Sequence, residues 1–179
     1  MEAAQAARDA SKTAHDVRRK DVTGRWSQFL LDRLRQINPA VETASVDPHD
    51  FTIRAKERGE PVRTFTDISV GGSPRAAANV ALLLSLRDLG RADPTVRVPP
   101  LLVIDSPLAG LGSTELDQET SVRLIDTLTS VAAAPSPDGY AYQIIAATND
   151  PLPRTYAGVR EFHISDEQSF FDHAPVHAG

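Results

Sequence analysis

The chain has 179 residues, 41% of them apolar and 24% charged, with a net charge of −5 and no cysteine. That is enough for one domain with a core of its own, and it excludes disulfides and cysteine-ligated zinc. A negative net charge and an aromatic content of 6% leave no general nucleic-acid-binding surface, so any DNA contact must come from a local basic patch or a partner.

The cysteine-free composition fits a cytoplasmic protein. No apolar run approaches the ~20 residues of a membrane span, and the first residues, MEAAQAARDASKTAHDVRRK, lack the apolar stretch of a secretory signal. Residues 1–38 read as helical: a solvated segment or coiled-coil end, interrupted at Thr23-Gly24, then a stripe of Trp26, Phe29, Leu30, Leu34 and Ile37 at three- and four-residue steps. Asn38-Pro39 ends it.

Residues 41–66 read as short strands. Phe51, Ile53 and Ala55 alternate with polar residues, Arg58-Gly59-Glu60-Pro61 is turn chemistry, and Val62 to Phe65 form a return strand. A helix follows from Pro74 to Leu89. Ser73 is its expected N-cap, Gly90 its C-terminal cap, and Ala76, Val80, Leu83 and Leu84 its apolar face.

Pro99-Pro100 introduce Leu101-Leu102-Val103-Ile104, an unbroken apolar run ending at Asp105. Such a run predicts a parallel strand covered on both faces. A helix over 116–131 turns Leu124, Ile125 and Leu128 inward, a loop spans 132–139, and a second buried strand from Tyr142 to Ala147 ends in Thr148-Asn149-Asp150. Strand, helix and strand make a βαβ unit with parallel strands. Val159 to Ile164 add a candidate strand, and the tail from 167 is expected to fray.

Ligands of open α/β sheets sit beyond the carboxyl ends of the strands, so Asp105 and Asn149 should share one edge. A rigid carboxylate at a strand end suits Mg²⁺ carried by a nucleotide; its structural alternative is a simple turn cap before Pro107. Ser69-Val70-Gly71-Gly72-Ser73-Pro74 opens a helix, where free N–H groups favour a phosphate. Alone, this segment reads rather as an ordinary strand-to-helix turn with a serine cap.

Taken in order, the segments resemble the C-terminal lobe of an SMC-like, ABC-type ATPase head. SVGGSPRAAANVALLLSL (69–86) resembles the signature motif and its helix. PPLLVIDSPLAGLG (99–112) resembles the Walker B strand, and YQIIAATND (142–150) the strand leading to the switch position. The resemblance spans most of residues 20–165 and is closest to divergent bacterial members with Asp-Ser-Pro after the Walker B run. It implies the C-terminal half of a P-loop NTPase fold: a parallel βαβ core, a small antiparallel region and a helix ending a coiled coil. It also implies a domain layout of 1–38 coiled-coil end and neck helix, 39–166 ATPase lobe and 167–179 tail.

The resemblance implies ATP and Mg²⁺ as cofactors. Ser69, Gly71, Gly72 and Ser73 would act on a nucleotide held by a second head in a head–head dimer, and Asp105 on Mg²⁺ at its own head. Asn149 stands at the switch position. No G-x-x-x-x-G-K-[ST] occurs in the chain, so a P-loop-containing N-terminal lobe, encoded upstream or on a separate chain, is an expected partner. Ser106 replaces the usual acid after the Walker B aspartate, and Gly112 replaces the D-loop aspartate. Glu115, Asp117 and Glu119 read as the acidic first turn of the next helix rather than as a substitute base. The role implied is ATP hydrolysis in DNA repair, chromosome maintenance or phage defence; the alternative is a degenerate, non-hydrolysing lobe that serves as a dimerisation scaffold. A haloacid-dehalogenase-type phosphatase is opposed by Pro107, which stands where that chemistry needs a second aspartate. His15, His49, His163, His173 and His177 show no metal spacing. Arg18, Arg19 and Lys20 form a basic cluster that reads as a solvated helix face, with DNA phosphate contact as its alternative.

Overall fold

The computed structural model describes residues 1–68, 73–108, 111, 112, 114–134, 142–149, 152 and 154–162. Helix α1 (Glu2–Ile37) is a single helix of 36 residues, about 54 Å long at 1.5 Å per residue. It runs straight through Thr23-Gly24, where a break was expected. Thr23 turns its hydroxyl back to the carbonyls of Arg19 and Lys20 at 2.9 and 3.2 Å, which satisfies it without leaving the helix. The helix ends as predicted, at Asn38, whose N–H donates to Leu34 O at 2.7 Å.

Strands β1 (Val41–Val46), β2 (Ile53–Glu57) and β3 (Arg63–Thr64) form an antiparallel sheet in that order. Phe51 does not alternate with Ile53 and Ala55 as expected. It occupies a turn at φ +58° and is 52% exposed, and the carboxylates of Asp47 and Asp50 accept the N–H groups of His49 and Thr52 at 2.8 Å each. Local side-chain bonds of this kind stabilise a turn over a continued strand. The return strand is correspondingly short, and Phe65 begins a one-turn helix, α2 (Phe65–Ile68). Helix α1 secures β1 directly: Ser27 Oγ accepts Val46 N–H at 2.8 Å, and Arg35 donates to the carbonyls of Val41 and Glu42 at 3.1 and 2.6 Å.

Helix α3 (Ser73–Ala92) packs along α1. Its inward face is Ala77, Ala78, Val80, Ala81 and Leu84, all buried; Leu83, expected inside, points out. The helix also continues through Gly90, which is no cap. A Cβ there would stand 2.9 Å from Val98 Cγ2 and 3.2 Å from Val96 O, so the glycine serves the close return of residues 96–98. Trp26 of α1 donates its indole N–H to the buried Ser85 Oγ at 2.9 Å.

Strands β4 (Leu101–Asp105) and β5 (Gln143–Ala147) pair in parallel, with Asp105 opposite Ala147, and α4 (Glu115–Ala133) connects them. The fold is therefore mixed α/β, with a small antiparallel sheet and a two-stranded parallel sheet among the described residues. Leu124, Ile125 and Leu128 of α4 are buried as predicted. They join Leu30, Leu34, Ile37, Val41, Val46, Ala55, Leu102 and Ile104 in one core.

The expectation that β4 is covered on both faces is overturned. Leu102 and Ile104 are buried, but Leu101 is 46% and Val103 65% exposed, and Ile145, opposite Val103, is 48% exposed. The run reads as uniformly apolar because the core takes alternate residues while nothing described covers the rest. Residues 159–162 form no strand; the remainder of that expected element, the 135–139 part of the loop and the tail lie outside the described residues.

Candidate functional site

The carboxyl ends of β4 and β5 bring two of the anticipated residues to one edge. Asp105 closes β4 with its side chain exposed, and Asn149, two residues past β5, is exposed at the same end. Side chains alternate along a strand, so Asp105 lies on the same face as Leu101 and Val103. The edge is held at its tip by Ser106 N–H, which donates to Ala147 O at 2.7 Å. Ser106 also donates its hydroxyl to Asp105 Oδ1 at 3.1 Å.

Of the glycine-rich segment, Ser69, Gly71 and Gly72 lie outside the described residues, and Ser73 is the first residue of α3. Among the described residues no three His, Asp or Glu side chains converge as a metal cage. A single strand-end carboxylate matches Mg²⁺ that arrives with a nucleotide, because Mg²⁺ takes one or two carboxylates and fills its octahedron with phosphate oxygens and water.

At the acidic start of α4 the carboxylate of Asp117 is engaged locally. Thr114 caps the helix by accepting Asp117 N–H at 3.2 Å, and its hydroxyl donates to Asp117 Oδ2 at 2.6 Å. This favours the cap over a catalytic base for Asp117. Gly112 lies against that carboxylate: a Cβ there would stand 2.7 Å from Asp117 Oδ2.

Two buried charges escaped sequence reasoning. Arg87 donates to Val131 O at 3.0 Å, lies 4.4 Å over the Tyr142 ring, and has its pKa lowered chiefly by burial. Its signal was present: it continues the helical stripe 77, 80, 84 with a charge. Asp93, with 6% of its side chain exposed, accepts from Thr95 Oγ1 at 2.6 Å, Arg18 at 2.6 Å and Arg25 at 2.7 Å. The Thr95 hydroxyl first, and then the Arg25 guanidinium, hold its carboxyl well below the usual range. The Thr95 bond is local, but the charged partners Arg18 and Arg25 are 75 and 68 residues away on α1, beyond the reach of any local pattern. Arg19 pairs with Asp16 at 2.9 Å. The cluster at 18–20 thus meets carboxylates at two of its three members, which weighs against a phosphate-binding patch.

These elements define a class, an α/β protein whose parallel strands end in polar residues. No family model and no curated protein matches the chain. A solved structure from work on the structural biochemistry of ATP-driven dimerization and DNA-stimulated activation of SMC ATPases is similar to it. The TM-score is 0.52 and the identity 15%, over 75% of this chain and 73% of that chain. At that identity the likeness is one of fold: the chain has, at a coarse level, the fold of an SMC-like ATPase. No helix among the described residues is long and apolar enough to cross a membrane.

Proposed function

We propose that the chain is the C-terminal lobe of an SMC-like ATPase head, acting with a P-loop-containing lobe at a composite site between two heads. The observation that carries this reading is an acid-tipped parallel strand whose outer face is bare and apolar. Parallel sheets are stable when both faces are covered, and here Leu101, Val103 and Ile145 face solvent beside Asp105. A second lobe covering that face would remove these side chains from water and bring its phosphate loop to the carboxylate.

Within the composite site each residue has a chemical task. Asp105 holds the metal of its own head, directly or through water. Bound Mg²⁺ would neutralise charge building on the transferred phosphoryl oxygens. Asn149 donates from its amide to a phosphate oxygen or an attacking water. Ser69, Gly71, Gly72 and Ser73 present hydroxyl and backbone N–H groups at a helix start to the nucleotide of the partner head. Residues 1–38 would then be a coiled-coil end and neck helix, and closure of two heads would shift the arms they carry. Work in DNA repair, chromosome maintenance or phage defence belongs to the same proposal.

Mixing the chain with a P-loop-containing lobe and following ATP turnover tests this. Turnover is expected only in the mixture, and Asp105→Ala should lower it by roughly 10²-fold or more, the scale of one lost electrostatic contact in a transition state. A mixture that assembles but never turns over ATP sinks the hydrolytic reading. That outcome favours the scaffold reading, which draws its support from Ser106: a hydroxyl, not a second carboxylate, follows Asp105.

A further inference from the structure

Ser106 sits in a conformation that its sequence disfavours. Its φ is +51°, in the left-handed region that residues with a Cβ avoid, and it precedes Pro107, which biases its neighbour toward extended backbone. The turn reverses the alternation of β4. Ile104 faces the core and Asp105 faces out, so a continued strand would turn residue 107 outward. Instead Pro107 is fully buried, and Leu108 is buried beside it. The buried pair holds one side of Ser106, and the bond from its N–H to Ala147 O at 2.7 Å holds the other. Strain persists where surroundings over-determine it, and such places cluster at sites that must hold a group still.

We infer that Ser106 is a positioning residue. Its hydroxyl, 3.1 Å from Asp105 Oδ1, keeps the carboxylate in one orientation, and its N–H ties the end of β4 to Ala147 at the end of β5, two residues before Asn149. A carboxylate already ordered loses less rotamer freedom when it takes a ligand. The inference rests on reading this edge as a magnesium–nucleotide site, but the orientation itself is measurable without metal.

The test uses the full chain and two variants that separate strain from hydroxyl. Ser106→Gly removes both, and Ser106→Ala removes the hydroxyl alone. NMR should give Asp105 two unequal Hα–Hβ couplings in the wild type, the sign of one rotamer, and averaged couplings in both variants. The thermal midpoint should rise in Ser106→Gly, which is relieved of strain, and not in Ser106→Ala. Mn²⁺ broadening of amide signals around residue 105 should need several-fold more metal in both variants. Averaged couplings in the wild type, or unequal couplings kept by the variants, overturn the inference. So do couplings that follow the thermal midpoint, since a merely structural role would move the two variants apart. A wild type blind to Mn²⁺, with the coupling pattern as expected, rejects the magnesium reading of the edge and leaves the positioning role supported.

Discussion

Two glycines in helices face opposite surroundings, and the difference fixes the sign of the same substitution. Nothing lies within 4 Å of a Cβ at Gly24, an exposed position of α1. Gly24→Ala should therefore stabilise the protein by up to about 1 kcal/mol, the helix-propensity difference. At Gly90 that gain is outweighed, because the new methyl meets Val98 Cγ2 at 2.9 Å and the backbone oxygen of Val96 at 3.2 Å. Overpacking costs about 1–3 kcal/mol, so Gly90→Ala should destabilise. Denaturant unfolding measures both, and a stabilised Gly90→Ala would show that residues 96–98 do not return against the helix.

At the scale of elements, α1 depends on a buried carboxylate for its exit from the body. Asp93 follows α3, and its partners Arg18 and Arg25 lie on α1. Residues 3–15 of α1 are exposed, so Arg18 is the outermost described tether between helix and body. The carboxyl of Asp93 is depressed in the fold and ordinary, about 3.9, in the unfolded chain. Its contribution is thus fully present above about pH 4 and is lost as pH falls toward the depressed value. Asp93→Asn should lower the thermal midpoint clearly at pH 6 and by less at pH 2.5, where the unfolded chain is protonated, the folded carboxyl is still ionised, and part of the contribution is gone. In hydrogen exchange, residues 3–24 should lose protection before α3 and α4 do. An equal loss at both pH values would remove the charge from the explanation.

For the whole molecule the decisive feature is a parallel sheet with one bare face. Val103→Glu should leave the isolated chain folded, with its helical circular dichroism unchanged, because residue 103 is 65% exposed. The same change should abolish assembly with a P-loop-containing lobe, since a carboxylate would be buried without a partner. Assembly unaffected by Val103→Glu would show that the second lobe docks elsewhere, and the composite-site proposal would lose its main support.

What the sequence determined by itself was local. The stripe of Leu30, Leu34 and Ile37, the inward residues of α4, and an apolar run stopping at Asp105 are set by neighbours three, four or two residues apart. Periodicity encodes interactions that reach no further than an element's own length. The parallel pairing followed from strand, helix and strand in order. Tertiary structure alone decided which residues of β4 are covered, that Asp93 is buried between two arginines of α1, and that Ser106 reverses the side-chain alternation so that Pro107 enters the core. Each of these depends on segments distant in the chain arriving at the same place. Burial is a property of that arrival, so one run of apolar letters serves equally for a strand covered on both faces and for one that leaves a face bare.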